Sequence, residues 1–543
     1  MTTRREFLER GAAAAGSAAL APHLSAGVDP VDQPQSFELE EWTVAQHQEA
    51  MSSGRLSAEE LARTYLARIA GMDRTGPTLR AVIETNPDAL AIASGLDAER
   101  RGGRVRGPLH GVPVLIKDNI DTADRMHTSA GSLALEDSIA RRDAGVVARL
   151  RAAGAVIIGK TNLSEWANIR SSKSSSGWSA RSGQGRNPYV LDRSPCGSSS
   201  GTGQAVAASY APLGVGTETD GSIVCPAGAQ ALVGLKPTLG LVSRSGIIPI
   251  AHSQDTAGPM TRTVTDAAIL LGVLAGEDPR DPITDLGRGR AAADYTTFLR
   301  PDGLVGARIG VVRAKVTGYS EETDRRYEEA IAALRGAGAV IVDPAEIPYL
   351  GSYDDTELTV MLYELKADLN AYFGGLGPTA RVKSLEQLIA FNEANRDREM
   401  PWFGQEYFHV AQAKGPLTEP EYRAALAQNH QLSRTLGIDA VMDRHRLDAL
   451  VAPTGAPTWP IDLLNGDHFS GGSSTAAAVS GYPNVTVPMG YVSELPVGLS
   501  FMGRAWSEGR LLTLAFAYEQ ATNHRRAPKY LRSAPLRGYT VEP

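Results

Sequence analysis

The sequence predicts an α/β protein, a sheet covered by helices on both faces. Three observations point there. Short runs such as 112–116 (VPVLI) are apolar throughout instead of alternating, as strands buried on both faces are. Helical stretches alternate with these runs. No linker rich in Pro, Gly and Ser divides residues 40–540, so a single domain is expected over about 37–540.

The elements follow in order. Ser57-Ala58-Glu59-Glu60 is a capping box, with Leu56 and Leu61 placed as a hydrophobic staple. Leu61, Tyr65, Leu66 and Ile69 mark the apolar face of the helix it starts. Run 112–116 has strand length and stops at Lys117. A helix is expected over 147–153 and a strand over 155–160, ending in Lys160. The alternation resumes with strand 307–312, helix 321–334 and strand 339–342, and then strands 447–452 and 485–487. Residues 350–440 differ. They carry aromatic and charged residues at helical spacing and few strand signals, so a helical excursion able to wall a substrate site is expected there.

At 543 residues and 42% hydrophobic, the chain can bury a large core. A net charge of −7 without a concentrated basic stretch excludes a general nucleic-acid binder. The first 27 residues read as a targeting segment: Thr3-Arg4-Arg5-Glu6-Phe7-Leu8 matches a twin-arginine signature, followed by a small apolar run to Leu20 and an expected cleavage region near Ala26. That run is too short to anchor the mature chain in a bilayer. A periplasmic or secreted bacterial protein is expected. The two cysteines, Cys196 and Cys225, rule out a disulfide framework and read first as two small buried side chains. An oxidising compartment leaves a bridge between them open. No metal-ligand spacing and no Ser-x-x-Lys occurs, and the ten histidines are scattered.

The most unusual stretch runs from Ser194 to Thr238. It holds Gly197-Ser198-Ser199-Ser200-Gly201, then Gly216-Thr217-Glu218-Thr219-Asp220-Gly221-Ser222, and closes on Gly234-Leu235-Lys236-Pro237-Thr238. Serines between glycines supply exposed hydroxyls and free backbone NH donors, the two parts that acyl transfer needs. Interleaved apolar segments exclude a flexible linker. A phosphate loop lacks its Gly-Lys-Ser/Thr ending after Gly201. Gly197–Gly201 matches the nucleophile elbow G-x-S-x-G with Ser199 as nucleophile, but Leu191-Asp192-Arg193-Ser194-Pro195 before it is no buried strand.

The centre, with Gly111-Val112-Pro113-Val114-Leu115-Ile116-Lys117-Asp118-Asn119 and Gly159-Lys160-Thr161-Asn162-Leu163-Ser164-Glu165-Trp166 before it, resembles the amidase signature family over about 40–525. Cys196 stands where that family more often has glycine, Ser200 is added to the second half of the pattern, and Asp220-Gly221-Ser222 replaces a commoner Gly-Gly-Ser. These variants look most like the bacterial peptide amidases, as does Ser253-Gln254-Asp255-Thr256-Ala257-Gly258-Pro259-Met260.

The resemblance implies the amidase signature fold, a large mixed β-sheet core covered by helices on both faces. It implies Ser222 as nucleophile, Ser198 as bridging serine and Lys117 as base, with no metal and no cofactor. It implies a cis peptide at Gly197–Ser198 and an oxyanion hole of the backbone NH groups of Thr219, Asp220, Gly221 and Ser222, the Asp220 carboxylate turned away. Ser199 is expected to support Lys117 by a local hydrogen bond. The expected partner is a peptide or small-molecule amide, foremost the C-terminal amide of peptides. Aryl-acylamides, fatty amides and carbamates are rivals. So are a role within an amidotransferase complex and a binding protein that lost catalysis. The oligomeric state is left open.

Overall fold

A computed structural model describes residues 37–535. The expected twin-arginine segment lies outside the described residues. The chain builds one sheet of eleven strands. In chain order the strands are β1 (Val82–Thr85), β2 (Pro113–Lys117), β3 (Val156–Thr161), β4 (Trp178–Ser179), β5 (Gly183–Gln184), β6 (Leu213–Glu218), β7 (Val233–Lys236), β8 (Thr256–Thr261), β9 (Arg308–Val311), β10 (Val340–Val342), β11 (Ala449–Pro453), β12 (Asn484–Val492) and β13 (Leu495–Met502). Strands β4 and β5 form a separate two-stranded ribbon.

The large sheet runs β1-β3-β2-β6-β8-β7-β12-β13-β11-β9-β10. It is mixed in a definite way. Strands β3, β2 and β6 are parallel near one end, and β11, β9 and β10 are parallel at the other. The middle, from β6 through β8, β7, β12 and β13 to β11, is antiparallel. Every residue of β2, β3, β6, β7 and β8 is buried, which requires a covering layer on each face.

The covering helices form for local reasons. Ser57 caps helix Ala58–Met72 and Glu60 reaches back, so the capping box is present. Leu61, Tyr65 and Ile69 of that helix are buried against the sheet and Leu66 is half-buried. Helix Ser200–Ala207 is buried along its whole length and packs on β2, β3, β6 and β8. Its glycines permit the close approach: a Cβ on Gly201 would lie 2.3 Å from the Ala81 carbonyl oxygen.

Between β10 and β11 no strand occurs among the described residues. Helices Asp354–Gly375, Leu385–Ala394, Glu406–Ala413 and Pro420–His430 fill the span. Leu362, Leu365, Leu369 and Phe373 pack with Leu385, Leu388 and Phe408 onto Trp166, Ile248 and Ile250. The helical layer therefore leans on the loops beside β3 and β8. No described helix is long and apolar enough to cross a membrane.

Candidate active site

Lys117 is the last residue of β2, and the parallel neighbour β6 ends at Glu218. The loop after β6 reaches Ser222, and helix Val224–Gly228 follows at once. Ser198 and Ser199 precede helix Ser200–Ala207. Three chain segments far apart in sequence thus meet at the C-terminal ends of two parallel strands.

There the side chains form a continuous line. Lys117 Nζ lies 2.8 Å from Ser198 Oγ, and Ser198 Oγ lies 2.9 Å from Ser222 Oγ. All three side chains are buried, Ser222 least so, at 8% exposure. The Gly197–Ser198 peptide is cis. Gly197 has little room for a side chain: a Cβ would meet Ser164 Oγ at 2.2 Å.

Burial pushes the Lys117 amine down to about 7, against the opposing pull of Asp255 and Glu218. The uncharged amine has two N–H groups and one lone pair. Thr217 offers two acceptors to it, Oγ1 at 2.9 Å and the backbone oxygen at 3.3 Å. With those two occupied, the lone pair is left to face Ser198. Asn119 donates to the same Thr217 hydroxyl at 3.0 Å.

Ser199 departs from expectation. Its hydroxyl does not bond Lys117. It donates to the Thr217 carbonyl at 3.0 Å and accepts from the Thr217 NH at 3.2 Å. A short side chain at the start of a buried helix reaches the adjacent strand's backbone before it reaches β2. Ser199 thus supports Lys117 at one remove, by fixing Thr217.

The loop 219–222 is arranged for an anion. Among the described residues no protein acceptor takes the backbone NH groups of Thr219, Asp220, Gly221 or Ser222. Gly221 turns the chain at φ +77°, where a side chain is disfavoured. The Asp220 carboxylate is held aside by Thr475, whose hydroxyl donates to it at 2.8 Å, and burial raises its pKa. Glu218 accepts from the NH groups of Ile223 at 2.7 Å and Val224 at 3.0 Å, which caps the helix after Ser222. Thr219 donates to Asp255 at 2.6 Å, and Gln254 joins the Thr219 carbonyl, at 3.4 Å, to Glu357 of helix Asp354–Gly375, at 2.8 Å.

The other two strand-end lysines serve elsewhere. Lys160 donates to the Ile120 and His127 carbonyls and to Thr128. Lys236 donates to the Pro237 carbonyl, and burial pushes its amine down to about 8. Neither touches Ser198 or Ser222, and none of the three lysines snorkels to water.

The cysteines correct the first reading: Cys196 and Cys225 form a disulfide, with Cα atoms 6.0 Å apart. Cys196 adopts φ +56°, a left-handed conformation that costs an L-residue about 1–2 kcal/mol.

Two cavities flank the serines. One, of about 310 Å³, is lined by Gly197, Gly221, both cysteines, Trp459 and Phe469, with Asp467 and Ser474. The other, of about 360 Å³, runs along Asn119, Thr217, Thr219 and Ile247–Ile250 to Asp368 and Ala371. The 467–474 stretch and the helical excursion therefore both border the site. Sequence reasoning missed Thr217, Asn119, Asp255 and Gln254, although all four lie in motifs it singled out.

The Amidase family profile matches residues 60–512. A peptide amidase crystallised with the competitive inhibitor chymostatin is 54% identical, with a TM-score of 0.88 over 91% of this chain and all of that one. The native peptide amidase of Stenotrophomonas maltophilia is also 54% identical, with a TM-score of 0.87 over 91% of this chain and 99% of that one. A probable amidase of Arabidopsis thaliana is 42% identical over 91% of this chain and 93% of its own length. With the fold, the clustered serines and lysine and these relatives in agreement, the chain belongs to the amidase family and is a hydrolase of amides.

Proposed function

We propose that the protein hydrolyses the C-terminal amide of peptides through an acyl-enzyme on Ser222. The observation that carries the proposal is the unbroken hydrogen-bonded line from Ser222 through Ser198 to a buried lysine whose pKa is lowered to about 7, so that a substantial fraction is neutral near that pH. The steps follow from it. Ser222 Oγ attacks the amide carbon as its proton passes to Ser198 and the Ser198 proton passes to Lys117. The carbonyl oxygen becomes an oxyanion facing the NH groups of residues 219–222. One such donor is worth about 2.7–4 kcal/mol at the transition state. The tetrahedral adduct then breaks its C–N bond as Ser198 protonates the departing nitrogen and recovers a proton from Lys117. Ammonia leaves, and water releases the acid from Ser222 by the same path reversed.

The peptide reading rests on the similarity to peptide amidases and on the cavity beside Gly221. Its walls of Trp459, Phe469 and Val224 suit an amino-acid side chain next to the scissile amide. We further propose that residues 1–27 direct export and are removed. The disulfide supports this reading, because such bonds persist in oxidising compartments. A panel of a peptide amide, an anilide, a fatty amide and a carbamate, with released amine measured and Ser222→Ala as control, tests the substrate. The peptide amide is expected to lead in kcat/KM. Preference for the anilide or fatty amide would replace the peptide reading. A dependence on a co-purified partner would favour an amidotransferase role. An N-terminus at residue 1 in protein from the native envelope would end the export proposal.

A further inference from the structure

The two segments that carry the serines are glycine-rich and are joined by hydrogen bonds. Ser199 NH donates to the Ser222 carbonyl at 3.1 Å, Ser199 Oγ donates to the Thr217 carbonyl at 3.0 Å and accepts from its NH at 3.2 Å, Gln230 donates to the Pro195 carbonyl at 3.1 Å, and Ser198 bonds Ser222. The one covalent tie is the disulfide. Cys196 lies two residues before Ser198, and Cys225 three after Ser222. Each cysteine is locked to its own serine's segment: Ser200 Oγ donates to the Cys196 carbonyl at 2.6 Å, and the Cys225 NH donates to the Gly221 carbonyl at 2.8 Å. A second observation bears on the same point. Cys196 sits at φ +56°, a conformation that glycine adopts freely and cysteine does not. The strained residue is the one that forms the cross-link.

We infer that the Cys196–Cys225 disulfide is a positioning element of the catalytic site, fixing Ser198 against Ser222 so that opening the bond slows acylation of Ser222. The inference rests on the assignment of Ser222 as nucleophile. Proton transfer along the line needs both gaps near 2.8–2.9 Å, and a displacement of about 1 Å in such a constellation costs about 10²-fold in rate. The bond also faces the cavity that Gly197 and Gly221 line, and Cys225 is partly exposed. A small reductant in solution therefore has access. A phosphine opens the bond with balanced chemistry: the S–S bond breaks, two thiols form, and the phosphorus gives up two electrons and takes an oxygen from water. An added disulfide such as oxidised glutathione closes it again, accepting the two electrons and leaving as two thiols.

The test uses the folded mature enzyme, oxidised or reduced with phosphine, its thiol count checked by mass. Two quantities are read: the rate at which a fluorophosphonate labels Ser222, and kcat and KM on a peptide amide. Reduction is expected to lower the labelling rate and kcat at least about tenfold while KM changes less than about threefold, with recovery on reoxidation. The Cys196→Gly/Cys225→Ala variant, whose glycine suits the left-handed backbone, is expected to match the reduced enzyme while keeping its circular dichroism. Labelling within twofold of the oxidised rate in fully reduced enzyme overturns the inference, and so does a loss that appears only with unfolding. If the oxidised enzyme turns over no amide, the substrate reading fails while the labelling comparison still decides this one.

Discussion

Lys117 is the residue on which the chemistry turns. Its amine must be uncharged to accept a proton, and burial brings it to about 7. Activity should therefore rise with pH along an acid limb near 7 in kcat/KM. Asp255 is the largest of the charges that oppose this shift. Its removal in Asp255→Asn should lower the lysine's pKa further and move the limb to lower pH. Lys117→Ala should cut kcat by about 10²–10⁴-fold. Lys160→Ala, which removes an amine that among the described residues bonds Ile120, His127 and Thr128, should leave the pH profile in place. The reverse pattern would disprove the assignment. The same burial carries a stability consequence. A lysine with a lowered folded pKa penalises folding fully below that value, and the penalty fades as pH rises toward the ordinary lysine range. Lys117→Met should thus be inactive yet more stable than the parent. Its advantage in denaturant melts should shrink by about 2–3 kcal/mol from pH 6 to pH 9.

At the scale of elements, the glycines decide how closely helix Ser200–Ala207 approaches the sheet. A Cβ on Gly201 would press on the backbone atoms of Ala81 and Asn162 at 2.3–2.6 Å, with no soft side chain to give way. Gly201→Ala should therefore destabilise by about 3 kcal/mol or more, read from denaturant unfolding. The disulfide closes a loop of 29 residues, and replacing both cysteines by alanine should lower stability by about 3–4 kcal/mol. These elements also show where the sequence was legible. Strands β2, β3, β9 and β11 are branched, apolar and short, and their positions were readable to within a residue or two. Strands β6, β7 and β8 carry Gly214, Gly216, Gly234 and Gly258 and went unseen, because glycine has little strand preference of its own. It stands there because neighbouring atoms fill the space: Cβ atoms on Gly214 and Gly234 would meet Thr202 and Ala227 at 2.6 and 2.5 Å. The serines and Lys117 were legible as motifs. Thr217 was not, since its role depends on β6 lying beside β2, a pairing that no local pattern encodes.

Over the whole molecule, the site lies where two parallel strands, β2 and β6, end beside the antiparallel middle of the sheet. The sheet brings Lys117 and Thr217 together, and the crossings to helices Ser200–Ala207 and Val224–Gly228 deliver the two serines. The helical layer from 354 to 430 closes one side through Gln254 and Glu357. Every part of the proposed reaction depends on this convergence, and one experiment reaches it directly. Enzyme turning over a peptide amide is quenched in acid within the first turnovers, and the intact chain and its digest are weighed. The account predicts a transient adduct of the acyl mass on Ser222, absent from Ser222→Ala and reduced by about 10²-fold or more in its rate of formation in Lys117→Ala. An adduct on another residue, or one that forms on Ser222 at the parent rate without Lys117, would contradict it.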